Sequence, residues 1–297
     1  MLDCIELGIE MSMESTGAGG DRKAIMAAAR AAMAASNPGV SPRARGEEKT
    51  RRVLDWVYRW GWASASTIEI VGGVKRSGLA ARLVKNGLLQ STKTESGGAV
   101  KGVPAHILTL TKTGLNAALK ELVEDDELLD YELDAYKIRQ DQLRHYEFAQ
   151  RSTALNLADG TIKNFKTESQ TVKKSFSKVK QHDTIWITAD GTKIGIEIEL
   201  SPKHSRKLNE FVLSCLLSVK PKSDGSATQV DEIFIVTDVP AIQRRYRQAF
   251  KVGERVMLWT KNKAGFVVAD TDDDNKQKSF VVPSWSEGKI SCLLLPD

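Results

Sequence analysis

"HDTIWITADGTKIGIEIELSPKHSRK", residues 182–207, is the stretch on which the fold turns. Along its second half Ile194, Ile196, Ile198 and Leu200 alternate with Gly195, Glu197 and Glu199. On a strand the first set takes one face and the second set the other. Residues 183–190 have strand composition too, and Asp190–Gly191 between the two runs is a hairpin turn. Such a hairpin brings Asp183 beside Glu197. Two acidic side chains on one face of an apolar strand are costly to bury unless something compensates their charge. A divalent cation is the simplest compensation, and Mg²⁺ or Mn²⁺ prefers carboxylate oxygens and water. An ion held there polarises a phosphoryl oxygen and acidifies a water molecule. Lys203 follows at the start of the next helix, where it can orient that water or stabilise charge on phosphorus. Glu199 is either a further ligand or the group that positions Lys203. The candidate catalytic set is therefore Asp183, Glu197, Glu199 and Lys203, with Asp183, Glu197 and Glu199 as metal ligands.

Around this stretch the pattern is α/β. Residues 161–169 read as a strand, 205–220 as an amphipathic helix, and "DEIFIVTD" (231–238) as a short apolar strand in a central position. A helix is expected over 239–251, and the runs 254–260, 265–270 and 279–283 are expected to finish the sheet. Upstream, 123–158 reads as one long charged helix, broken near Asp130, that turns Leu143, Phe148, Leu155 and Leu157 to a core and stops at Asp159–Gly160. No internal repeat is present.

Residues 48–122 form a unit of their own. "EEKTRRVLDWVYRWGW" (47–62) sets Val53, Trp56, Val57 and Trp60 at helical spacing, and Gly61 ends the run. "SASTIEIVGG" (64–73) is a second helix, capped by Ser64 or Ser66 and stopped at Gly72–Gly73. In "VKRSGLAARLVKNGLL" (74–89) a third helix buries Leu79, Leu83 and Val84 and exposes Lys75, Arg76, Arg82 and Lys85. Two strands follow within 89–111, around a turn bearing Lys93 and Lys101, and a helix over 112–122 closes the unit. Three helices and a hairpin are the order of a winged helix-turn-helix. In that reading the third helix enters the major groove of double-stranded DNA and the hairpin touches flanking phosphates. Trp56, Trp60 and Trp62 are read as its core.

The chain has 297 residues, enough for two ordinary domains, and a net charge of +5, which favours a polyanionic partner. No apolar run approaches the length of a membrane span. Asp3, Glu6 and Glu10 stand where a secretory leader would be basic. Cys4, Cys215 and Cys292 are too few and too scattered for a disulfide framework. A cytoplasmic protein without membrane contact is expected, with residues 1–47 a Gly-, Ala- and Ser-rich tail that includes a short Ala-rich helix over 24–35.

The strand order and "E-x-E" motif resemble the PD-(D/E)XK restriction-endonuclease-like fold. Asp183 matches that fold's first aspartate and Glu197 its second acid. Three departures stand out: His182 replaces the proline, Glu199 takes the usual lysine position, and Lys203 would be a lysine displaced to the neighbouring helix. Glu168, on the first strand, corresponds to an extra acid of some members. The winged helix, "RHYEFAQRSTALNL" (144–157) and "HD…IEIELSPK" together resemble the replication-relaxation family, which includes MobC-type plasmid relaxases. The resemblance spans roughly residues 48–240. It implies a winged-helix domain at 48–122 and a nuclease domain at 123–297. The implied activity is Mg²⁺- or Mn²⁺-dependent nicking of origin-of-transfer DNA, with other mobilisation or coupling proteins as partners. His106, His145, His182 and His204 are scattered, unlike the histidine cluster of other relaxases. A non-cleaving replication or transcription regulator and a restriction or defence nuclease are the alternatives. The loop 173–182 and the Arg244–Arg247 run are further candidate phosphate contacts.

Overall fold

The computed structural model describes residues 41–74, 78–120, 128–172, 180–221, 228–262, 265–268 and 279–295. Residues 49–297 form one compact unit. The first helix, α1 (Pro42–Trp60), begins ahead of the expected boundary at 48, and the rest of the tail, with its Ala-rich segment, lies outside the described residues. Val53, Trp56 and Val57 are buried on α1 as the helical spacing requires. Helix α2 (Ala65–Val71) is capped by Ser64, whose Oγ accepts the Thr67 N–H, so the cap falls to Ser64 rather than Ser66. Helix α3 (Leu79–Lys85) starts from Gly78 at φ 67, a left-handed conformation that glycine adopts without strain. Strands β1 (Leu89–Lys93) and β2 (His106–Leu110) pair antiparallel, Leu89 opposite Leu110. Thr111 caps α4 (Lys112–Leu119), which ends short of the expected 122. The expected domain boundary at 122–123 lies outside the described residues.

The long helix expected over 123–158 is not formed as such. Residues 128–134 form no regular element, and two 3-10 turns (Ala135–Lys137 and Gln140–Gln142) precede α5 (Leu143–Ala158). Tyr131 explains the non-helical run: its hydroxyl donates to the Gly61 carbonyl at 2.9 Å and accepts the Leu110 N–H at 2.8 Å. Those backbone groups gain partners that a helix would leave unmet. Leu143 is fully buried, Phe148 and Leu157 pack against the core, and Leu155 is half exposed, contrary to expectation.

Helix α5 lies between the N-terminal helices and the sheet, and its buried side is polar. Glu147 accepts hydrogen bonds from Ser64 and Thr67, Gln150 from Trp56 of α1, and Thr153 from Trp186. A single apolar cluster runs from Val53 and Leu83 through Ala149 and Ala154 to Trp186, Ile196 and Val236.

Beyond α5 come β3 (Asn164–Thr167), a short α6 (Glu168–Val172), β4 (Thr184–Ile187), β5 (Lys193–Ile198), α7 (Ser205–Val219), β6 (Glu232–Thr237) and α8 (Pro240–Ala249). Glu168 thus opens α6 instead of sitting on the first strand. Strands β7 (Arg255–Met257), β8 (Trp259–Asn262), β9 (Gly265–Val268) and β10 (Ser279–Val281) do not finish the main sheet. β7 pairs with β10, and β8 with β9, as two separate ribbons. The fifth strand of the sheet is β11 (Ile290–Leu294), parallel to β6, and the order is β11-β6-β5-β4-β3. The architecture is mixed α/β: an antiparallel hairpin portion, β3-β4-β5, joined to a parallel portion, β5-β6-β11.

Candidate active site

The hairpin register is Thr184 opposite Ile196, which aligns Asp183 with Glu197. The Asp183 N–H also bonds the Ile196 carbonyl at 3.1 Å. Ile194, Ile196 and Ile198 enter the apolar cluster. Glu197 and Glu199 face the other way, yet they are only 2% and 5% exposed. What covers Glu197 begins with a glycine. A Cβ on Gly195 would stand 2.7 Å from His182 Nδ1, so only glycine lets the His182 ring lie against β5. The buried ring then puts Nδ1 2.7 Å from Glu197 Oε1. Burial, then the nearby Lys180, holds the imidazole down at about 3, and Nδ1 and Glu197 Oε1 share one hydrogen bond.

The second oxygen, Glu197 Oε2, lies 2.8 Å from Lys180 Nζ. Burial and then Asp183 push Glu197 well up, and the Lys180 ammonium opposes them. Burial would lower Lys180, but Glu197 and Asp183 outweigh it and the ammonium keeps its proton. Asp183 is arranged the same way. Its Oδ2 accepts the Ile198 N–H at 2.7 Å, and its Oδ1 is 3.1 Å from His145 Nε2 on α5. Burial raises Asp183, and the His145 bond and charge more than reverse this. Burial likewise lowers His145, and Asp183 more than restores it.

Glu199 pairs with Lys203 through Oε1 and accepts the Tyr246 hydroxyl through Oε2 at 2.9 Å. Lys203 Nζ sits 4.5 Å from the Phe211 ring centre and Lys180 Nζ 5.8 Å, so one aromatic ring lies within reach of both ammonium groups. Tyr146 donates to Glu168 at 2.8 Å. All of Asp183, Glu197, Glu199 and Lys203 line one cleft of about 490 Å³. Lys180, His145, Tyr146 and Glu168 line it as well. The four sequence-predicted residues are therefore brought together. Among the described residues no three His, Cys, Asp or Glu side chains form a group that could hold a metal ion; the carboxylates are paired with cations and hydroxyls.

His182, His145, Lys180 and Tyr246 were not in the expected set. His182 stood only as the residue in the proline position, His145 only among scattered histidines, and Lys180 in the loop 173–182 read as a phosphate contact. Lys180 turns inward to Glu197. In the Arg244–Arg247 run, Tyr246 is buried on Glu199 and Arg247 donates to the Cys292 carbonyl. The one available signal was composition: a glycine in an otherwise β-branched strand marks a close approach. Of the DNA-binding candidates, Arg82, Lys85, Lys93 and Lys101 are exposed, while Lys75, Arg76 and loop residues 173–179 lie outside the described residues. Trp56 and Trp62 are buried, as expected of core residues. Among the described residues no helix is long and apolar enough to cross a membrane. Comparisons with known protein families, curated proteins and solved structures found no match to this chain.

Proposed function

We propose that the chain is a metal-dependent DNA endonuclease, a nickase of the relaxase type acting at a plasmid origin of transfer. The observation that carries this reading is the convergence of Asp183, Glu197, Glu199 and Lys203 on one cleft. The order helix, three antiparallel strands, helix and parallel strand supports the PD-(D/E)XK reading of residues 123–297. The three helices and antiparallel hairpin of α1–α3 and β1–β2 support the winged-helix reading of 48–122, with exposed Arg82 and Lys85 toward double-stranded DNA.

Carboxylate oxygens are the donors a hard cation prefers, but each oxygen of Asp183 and Glu197 is paired within the chain, so an ion there would have to displace His145 and Lys180. Asp183 and Glu197 would hold Mg²⁺ or Mn²⁺, and Glu199 is the partner of Lys203. The ion supplies Lewis acidity toward the scissile phosphate. His182 and the Ile198 N–H fix the inner oxygens, so the outer pair is already oriented. Lys203, seated on Phe211, bears on the phosphoryl charge.

The experiment is relaxation of supercoiled plasmid carrying the origin, with Mg²⁺ or Mn²⁺. Asp183→Ala and Glu197→Ala are each expected to abolish nicking and to keep DNA binding. Nicking at the wild-type rate by either variant would refute the assignment. A second reading, a non-cleaving DNA-binding regulator, is favoured by one observation: every oxygen of Asp183 and Glu197 already has a partner within the chain. Metal-dependent nicking by the pure protein removes it.

A further inference from the structure

The acceptors and donors that line the cleft are used up unevenly. Among the described residues both oxygens of Asp183, of Glu197 and of Glu199 have partners within the chain. The donors facing them are only partly used. Lys203 spends one of its three N–H groups, on Glu199, and Lys180 spends two, on Glu197 and the Gln181 carbonyl. Arg144 gives Asp238 one of its five, at 2.6 Å, and His145 uses only Nε2, on Asp183. In every pair the cation is the more exposed member. Lys180 is 23% exposed against 2% for Glu197, Lys203 33% against 6%, His145 32% against 13%, and Arg144 34% against 17%. Each carboxylate thus stands behind its cation and fixes it, and the side turned to solvent is the cation's. Glu168 is the exception among the lining acids, with Oε2 held by Tyr146 and Oε1 without a described partner.

We infer that the cleft is an oxyanion site, which takes a phosphate group directly on Arg144, His145, Lys180 and Lys203 with no divalent ion between. The inference goes beyond the nuclease reading, because it requires neither an ion nor cleavage. N–H donors on charged groups make the short, strong hydrogen bonds that phosphate oxygens accept. Each donor is already oriented by its carboxylate, so little side-chain freedom is lost when the anion arrives. The pairs need not open. Lys180 stays on Glu197 and beside Phe211 and contributes its third N–H. The paired charges largely cancel at a distance, so the cleft selects oxygens at contact range rather than net charge. Its volume of about 490 Å³ leaves room for the phosphate and for what is esterified to it.

The test uses the full chain in EDTA, titrated with inorganic phosphate by calorimetry. Arg144→Gln and Lys203→Met are each expected to weaken phosphate binding about tenfold, the usual scale for a hydrogen bond to a charged group. Lys193→Ala, exposed and outside the cleft, should leave it unchanged. No binding by wild type, or binding indifferent to both cleft variants, overturns the proposal. A second measurement needs no variant: in wild type, phosphate should slow acetylation of Lys203, read by peptide mass mapping, and leave Lys193 unaffected. If the variants fail to fold, this rate decides, and a rate indifferent to phosphate overturns the proposal. A short DNA strand without terminal phosphates separates the sources of the group. Protection of Lys203 by that strand as well assigns the site to phosphodiesters. Protection by inorganic phosphate alone keeps the oxyanion site and counts against the nuclease reading. Plasmid nicking by a protein whose Lys203 phosphate never protects defeats the oxyanion site alone.

Discussion

Gly195 is where one missing carbon organises the cleft. The Gly195→Ala methyl group would meet three atoms of the His182 ring within 2.9 Å. The ring must then move off Glu197. Gly195→Ala should cost about 1–3 kcal/mol in urea unfolding, the usual range for overpacking a close-packed site, and abolish nicking. Glu147 gives a pH prediction at the same scale. Its carboxyl is pushed up by burial, which outweighs the Ser64, Thr67 and Arg151 interactions, and its Oε2 has no hydrogen-bond partner. A raised native pKa means that the folded state binds the proton more tightly than the unfolded state. This contribution to stability is full below the ordinary carboxyl value of 4.5 and is lost as pH rises through the native pKa. Glu147→Gln lacks that loss, so its stability relative to wild type should increase from pH 4 to pH 8 in urea unfolding. An unchanged difference would count against a buried, titrating Glu147.

At the scale of elements, Tyr131 accounts for the largest departure from expectation. The charged stretch before α5 has helical composition, and composition cannot register a hydroxyl bridging Gly61 and Leu110 from 70 and 21 residues away. Tyr131→Phe leaves that carbonyl and N–H without their partner and should cost about 1–3 kcal/mol, measurable by thermal or urea unfolding. The β4–β5 hairpin was legible because its information is local: alternation, the Asp190–Gly191 turn and the strand period. The same period put Glu197 and Glu199 on one face and Asp183 opposite Glu197. Lys180 and His145 were not legible: His145 reaches the site from α5, and Lys180 sits in the irregular run before β4, where no period fixes its direction. The C-terminal strands were recognised as strands but wrongly assigned to the main sheet, because pairing partners are not encoded in a strand's own period. Ile290–Leu294, the strand that does complete the sheet, was overlooked altogether.

Across the whole molecule, the net charge of +5 matters less than its distribution. Asp141, Glu168, Asp183, Glu197 and Glu199 line the cleft, while Arg82, Lys85, Lys93 and Lys101 are exposed on α3 and the β1–β2 hairpin. Lys85→Ala should weaken DNA binding across sequences and reduce the slope of log affinity against log salt by about one, measured by fluorescence anisotropy. Helix α5 gives this arrangement a further meaning. Gln150 and Glu147 grip the N-terminal helices, and His145, at the start of the same helix, holds the outer oxygen of Asp183. On the nuclease reading proposed above, this one helix would join the DNA-binding helices to the cleft, and any factor that DNA contributed to ion affinity would be returned by the ion to the affinity for DNA.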